Sequence, residues 1–203
     1  CAAQPPTDLC DKPLKPLSRQ ELNRREALSL YGVAAQHEQR SRLPEALRTY
    51  EKALRLDGDS PAILRALVPL YLALDRQEEA LNACKRIVAL DPEDFETWLT
   101  YGRQLKAVDR DGDARTAFVR ASACKELPEH PEAHLNVFYE LGVLHQKARA
   151  YRDAEDAFRQ VIVILERPSA TLEQGGMSRE ELSTQVADTY ERIGRICIDA
   201  KEV

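Results

Sequence analysis

Long apolar runs are missing from this sequence: no stretch approaches the ~20 residues that a membrane-crossing helix needs. Glycine is scarce, with 8 in 203 residues, and 31% of the chain is charged. No segment alternates apolar and polar residues as a half-buried strand would, so the composition points to an all-helical chain. A basic excess is also lacking. The net charge of -5 argues against a phosphate-binding surface, and nucleic acid is not expected as a partner. The five cysteines do not make a disulfide framework. Cys84, Cys124 and Cys197 fall on helix positions expected to face a core, where a free thiol behaves as a small apolar group. That pattern favours a reducing compartment. A nucleophile–base constellation, a Gly-rich phosphate loop and a carboxylate pair of usable geometry are all lacking. No catalytic residue, no cofactor and no enzymatic activity are therefore expected.

Two clusters resemble metal sites and fail on inspection. Asp109-Arg110-Asp111-Gly112-Asp113 opens like a calcium loop, but Ala114 stands where the loop needs Gly. Arg120 stands where it needs a bidentate Glu. His130 and His134 are four apart, yet a zinc site needs three or four converging ligands and no Cys lies near in sequence. No metal site is expected. His37 and His145 are read as partly buried core residues.

What the sequence does have is a period. Pro61 to Asp94 is a 34-residue unit that divides at Asp75–Arg76. Its first half places apolar residues at Leu64, Leu67, Val68 and Tyr71. Its second half places them at Ala80, Leu81, Cys84, Ile87 and Leu90. Steps of three and four line one face of a helix, and Asp91–Pro92 ends the second one. The unit is a helical hairpin with one apolar face per helix, too small to bury both faces alone. Residues 27–60 and 95–128 continue the frame without a gap, and 135–168 resume it after six inserted residues. The insertion holds His130 before Pro131 and should lengthen the following helix by about a turn.

Four registered copies with this pattern of large and small residues resemble the tetratricopeptide repeat family. Leu30, Val33, Ala34 and His37 occupy the family's large, large, small and large positions of the first helix. Trp98, Tyr101, Gly102 and Leu105 do so in the third repeat, and Phe138, Leu141, Gly142 and His145 in the fourth. In the second helix the small–aromatic–small set is Ala46, Tyr50, Ala53, then Ala114, Phe118, Ala121. Ala154 and Phe158 follow, with the larger Val161. The second repeat departs, with Cys84 for the aromatic and Ile87 for a small residue. The resemblance implies a right-handed α-solenoid of four hairpins across 18–168, closed by a C-terminal helix over 178–203 that acts as a cap or as half of a fifth repeat.

The ends differ from the repeats. Residues 1–17 hold four prolines and read as an extended tether. A chain that starts on Cys1 and runs into a polar, Pro-rich stretch resembles a mature bacterial lipoprotein acylated at Cys1. With Ala2 next, the sorting rule for such proteins favours the outer membrane. The expectation is an envelope protein on the periplasmic face if Cys1 is such a terminus, and a cytoplasmic one otherwise, a segment of a larger regulatory or enzymatic protein. Ser18-Arg19-Gln20-Glu21 and Ser178-Arg179-Glu180-Glu181 are capping boxes, and 169–177 is a loop.

The surface remains as the functional element. The resemblance implies a concave groove built by the first helices, which here would carry Tyr31, Arg65, Pro69, Leu72, Leu99, Arg103, Lys106, Tyr139 and Gln146. The Lys and Asn clamp of chaperone-binding members is missing, since Tyr31, Ala35 and Ala66 stand in its places. Apolar walls around Arg65, Arg103 and Lys106 imply a protein or peptide partner with acidic groups. Pro69, inside a helix, should kink it and turn the Arg65 carbonyl toward the groove. The membrane enters only through a lipid on Cys1, and the sequence does not fix an oligomeric state.

Overall fold

The computed structural model describes residues 16–166 and 178–201. Residues 1–15 of the tether, with Cys1 and Cys10, and the loop 169–177 lie outside the described residues. Every regular element among those described is helical: α1 (Arg19–Gln39), α2 (Leu43–Leu56), α3 (Pro61–Ala73), α4 (Gln77–Leu90), α5 (Phe95–Ala107), α6 (Asp111–Ser122), α7 (Pro131–Lys147), α8 (Tyr151–Glu166) and α9 (Arg179–Asp199). A short 3₁₀ turn, Leu127–Glu129, fills part of the insertion, with Leu127 fully buried. The helix after it starts at Pro131, four residues before the repeat frame, as the insertion implied.

The two capping boxes form. Ser18 and Ser178 accept from the backbone N–H of Glu21 and Glu181, whose carboxylates accept from the serine N–H groups in return. Two amides that no helical carbonyl could reach are thereby satisfied at each start.

The hairpin turns repeat with one geometry. Ser41, Asp75, Asp109 and Arg149 have φ of 56°, 57°, 57° and 57°, and each is the fifteenth residue of its repeat. The next residue donates its N–H five residues back: Arg42 to His37, Arg76 to Tyr71, Arg110 to Leu105 and Ala150 to His145, at 2.8–2.9 Å. This left-handed cap satisfies the carbonyls that the ending helix leaves open. A side chain in that conformation costs about 1–2 kcal/mol, less for Asp. Arg149→Gly is therefore expected to raise stability by about 0.5–1 kcal/mol after the unfolded chain's added freedom is counted. Asp75→Gly and Asp109→Gly should gain less. Urea midpoints of the three variants check the order.

The chain divides into two compact units, Cys1–Ile63 and Leu64–Val203, and each has its own packing. In the first, α1 lies against α2, and Ala27, Ala34, Ala46, Leu47, Tyr50 and Ala53 are buried. Val33, read as a large core residue, is 43% exposed. Ala27 and Ala34 are the buried residues of α1, and Val33 falls on its exposed flank. His37 is half-buried, and its Nδ1 has no hydrogen-bond partner among the described residues.

In the second unit α4 packs on α5, α5 on α6, α6 on α7, α7 on α8 and α8 on α9. One buried cluster holds Phe95, Leu105, Phe118, Leu127, Val137 and Leu141. A second holds Phe158, Val161, Ile162, Leu165, Leu182, Ile193 and Ile196. The small positions have a steric cause: a Cβ on Gly102 would meet the Phe118 ring at 2.9 Å, and one on Gly142 the Phe158 ring at 2.6 Å. α3 runs through Pro69 to Ala73. Leu64, Leu67, Val68 and Tyr71 are buried as expected, but Leu90, the last residue of α4, is exposed.

Among the described residues, Cys84, Cys124 and Cys197 are free thiols and do not behave alike. Cys84 is buried, and burial pushes its thiol up to about 12. Cys124 is buried with Sγ 3.3 Å from the Arg120 carbonyl. Cys197, expected in the core, is exposed, because α9 turns Ile193 and Ile196 inward instead.

Candidate functional site

The groove residues fall in both units. Tyr31 belongs to the first unit, where its ring packs edge-on against Tyr50 at 5.2 Å. The Tyr50 hydroxyl donates to Glu38. Burial, with Glu38 beside it, holds that phenol well above its ordinary range. In the second unit Arg65, Pro69 and Leu72 line one hollow and Tyr139 and Gln146 another, while Leu99, Arg103 and Lys106 line neither.

The smaller hollow, about 260 Å³, lies among α3, α4 and α5. Arg65, Pro69 and Leu72 line it with Cys84, Asp94 and Thr100. Pro69 is exposed, as a residue lacking its N–H tolerates best. Arg65 is not an open cation. Its guanidinium donates to Asp94 at 2.7 and 2.9 Å and to Asp91 at 3.2 Å. Asp94 also caps α5, accepting from the Thr97 N–H at 2.9 Å and the Thr97 hydroxyl at 2.8 Å. Burial alone would raise the Asp94 carboxyl, but the bonds from Thr97 and Arg65 outweigh it and hold the carboxyl below its ordinary range.

Lys106 is likewise paired, with Nζ 2.5 Å from Glu140 of α7. Arg103 is exposed and makes no ion pair among the described residues. The cluster of three open cations is therefore corrected to one. The pairs were legible in outline: Asp91 and Asp94 end the repeat that Arg65 begins, and Glu140 is on the first helix of the repeat after that of Lys106. Leu99, read as a groove wall, is only 8% exposed and belongs to the buried cluster that also holds Leu141 and Leu144.

The larger hollow, about 560 Å³, lies between α7 and α9. Tyr139 and Gln146 line it with Asn136, Asp188, Arg192 and Arg195. Tyr139 is 42% exposed, with its ring edge-on to Phe158 at 5.9 Å. The Arg192 guanidinium sits 5.4 Å from both ring centres and donates to the Tyr139 hydroxyl at 3.3 Å. An arginine over two aromatic faces is held without a carboxylate and keeps donors for a ligand. The residues from α9 were missed because groove positions were counted only in the four full repeats, although that helix was read as a cap or as half of a fifth repeat. Counted as the first helix of a fifth repeat, it places Asp188 and Glu191 at the repeat positions of Asn136 and Tyr139 in α7, and Arg192 and Arg195 at the next two groove positions. All six line the hollow.

The two metal-like clusters hold other contacts. His130 packs against the Phe95 ring with centroids 4.7 Å apart, and His134 meets Phe138 edge-on at 5.2 Å. Burial lowers the pKa of His134. Asp111 pairs with Lys147, and Asp113 with Arg110. His145 is half-buried near Asp153, and burial lowers its pKa despite that carboxylate.

Comparison with known proteins agrees with this geometry. A family described as tetratricopeptide repeat matches residues 38–108. The general transcriptional corepressor trfA of Dictyostelium discoideum is 29% identical over 118 residues, which is 58% of this chain and 8% of that protein. The chain thus spans about a tenth or less of the curated relatives it matches. Among solved structures, MamA superposes with a TM-score of 0.61 at 19% identity, covering 87% of this chain and 90% of that one. The first tetratricopeptide domain of Spaghetti (RPAP3), solved with the HSP90 peptide SRMEEVD, gives a TM-score of 0.51 at 19% identity. It covers 62% of this chain and 94% of that domain. The fold is an all-α tetratricopeptide solenoid, a class that in general serves protein–protein interaction and not catalysis. The family match, the repeat register and the shared fold together support the tetratricopeptide repeat family for this chain.

Proposed function

We propose that the second unit binds a segment of a partner protein along its first-helix faces, and that an acidic group of the segment meets Arg103. The reading is supported by the groove positions Arg65, Pro69, Leu72 and Thr100 at one open hollow and Asn136, Tyr139, Asp188 and Arg192 at another, with Arg103 exposed on α5. Leu72 and Tyr139 offer apolar and aromatic anchors beside them, the residue kinds that tend to dominate interface energy. The peptide-bound domain of Spaghetti is a precedent on the same fold for an acidic ligand.

Arg103 is the clean test. Lys106→Glu would set two carboxylates together against Glu140, so lost binding there could reflect lost structure. Arg103→Glu changes an exposed residue that forms no ion pair, and its stability effect should stay within about 0.5 kcal/mol. A displayed library of random peptides, selected on the protein, is expected to yield sequences with Asp or Glu between apolar anchors. Fluorescence titration should show these peptides binding Arg103→Glu at least tenfold more weakly, with affinity falling as salt rises. Peptides with no acidic residue, or equal affinity for both proteins, would refute the reading.

For the setting of that interaction, we propose an assembly role on a bacterial envelope, with Cys1 acylated. It rests on Cys1 and the Pro-rich stretch after it. Mass spectrometry of the native N-terminal peptide decides it, since an unmodified Cys1 excludes the anchor. A second reading, a repeat segment within a larger regulatory protein, is favoured by the far greater length of the curated relatives.

A further inference from the structure

α9 is apolar on two sides. One side, with Leu182, Ile193 and Ile196, is buried against α8. The other carries Tyr190, Gly194, Cys197 and Ile198. Tyr190 is 53% and Ile198 60% exposed, and a Cβ built on Gly194 would meet nothing within 4 Å. The contrast with the preceding repeats is direct. Gly194 stands at the repeat position of Gly102 and Gly142, both buried under a phenylalanine ring. The same small residue is present here with the space above it open.

We propose that this face is where two copies of the chain meet, as an antiparallel pair of α9 helices crossing at Gly194. The pattern is complementary to itself. Tyr190 and Ile198 each lie four residues from Gly194. A two-fold axis there sets each Tyr190 against Ile198 of the partner subunit. Gly194 lets the backbones approach closely at the crossing, where larger side chains would hold them apart. The charges agree with the symmetry. Glu191 and Arg195 lie along one edge of the face and already pair within the helix at 2.5 Å. The antiparallel arrangement puts each Glu191 beside Arg195 of the partner subunit, so unlike charges meet on both sides of the axis. Glu191 and Arg195 also line the hollow with Asp188 and Arg192, so one edge of this face adjoins the proposed binding site. One helix face on each copy falls short of the ~1,200 Å² of a standard interface, so the dimer should be weak and should dissociate on dilution.

Sedimentation velocity of the 203-residue chain, from micromolar to near-millimolar concentration, should show a monomer–dimer equilibrium. Tyr190→Arg with Ile198→Arg should weaken association at least tenfold with an unchanged circular dichroism spectrum. The register has an independent test in a background lacking Cys1, Cys10 and Cys197. There Gly194→Cys should give a disulfide-linked dimer on mild oxidation, and Asp188→Cys should not. A monomer at every concentration overturns the proposal. So does a dimer that survives the double substitution, or cross-linking that is equal at the two positions. If the monomer instead binds a synthetic helix with the sequence of α8, the face is a site for another helix and the two-fold pairing is wrong.

Discussion

Gly142→Leu is expected to lower the stability of the second unit by roughly 1–3 kcal/mol, the usual cost of forcing atoms into a filled core. Glycine inside a helix ordinarily costs about 1 kcal/mol relative to alanine, so a substitution here would stabilise if nothing stood in the way. Something does. The first atom added, Cβ, would already lie 2.6 Å from the Phe158 ring. That ring is fully buried, with Tyr139 edge-on to it and Arg192 over it. It has little room to retreat. Gly142→Ala therefore sets a gain of about 1 kcal/mol against a clash of similar size, and it should come out near neutral or slightly destabilising. The added bulk of leucine decides the sign. Phe158→Leu alone should destabilise by opening space, but in the Gly142→Leu background it should cost less, because it makes room for the new side chain. Urea unfolding of the four proteins gives the coupling energy. Additive effects would mean that the two residues do not share this crossing. At Gly102 the distances to Phe118 are 2.9–3.0 Å, so the same series there should show a smaller coupling.

That crossing could be read from the sequence because its cause is local and repeated. A glycine or alanine and an aromatic ring sixteen residues later recur at fixed positions, and the chain between them is a hairpin with one turn geometry. The helix starts were legible for the same reason, since a capping box is complete within four residues. Burial at the edges was not legible. Val33, Leu90 and Cys197 have apolar side chains at sound helical spacing, but whether such a residue is covered depends on what lies opposite it. Leu90 ends its helix, and the face of α9 that holds Cys197 is not covered by any described element. The electrostatics of the groove failed in a different way. Arg65 and Lys106 were counted as cations from one helix face. Their carboxylates come from residues 29 and 34 positions away, on segments that the fold brings alongside. Side chains on one helix face reveal a surface's charges, whereas its net field depends on the neighbouring repeat.

Asp94→Ala should combine a loss of stability with a change at the groove. Asp94 holds three things together: the first turn of α5 through the Thr97 N–H, the Thr97 hydroxyl, and Arg65 of α3. Loss of an N-cap side chain costs about 1 kcal/mol. The ion pair adds up to about 1 kcal/mol more, discounted because the Arg65 side chain is 46% exposed. The effect should depend on pH in one direction. The folded protein holds the Asp94 carboxyl below its ordinary range, so the unfolded chain takes up that proton more readily. The stabilisation is complete above the unfolded value of about 3.9, and it disappears as pH falls through the lower folded value. The gap between wild type and Asp94→Ala should be full at pH 7 and shrink toward the cap's neutral remainder in strong acid. A gap that stays constant below pH 4 would show that the carboxylate's charge contributes nothing. The same substitution leaves Arg65 with only the longer contact to Asp91, at 3.2 Å, beside the smaller hollow. If an acidic segment binds there, Asp94→Ala should bind it at least as tightly as the wild type despite being less stable. Weaker binding in step with lost stability would mean that Arg65 must be held by Asp94 to do its part.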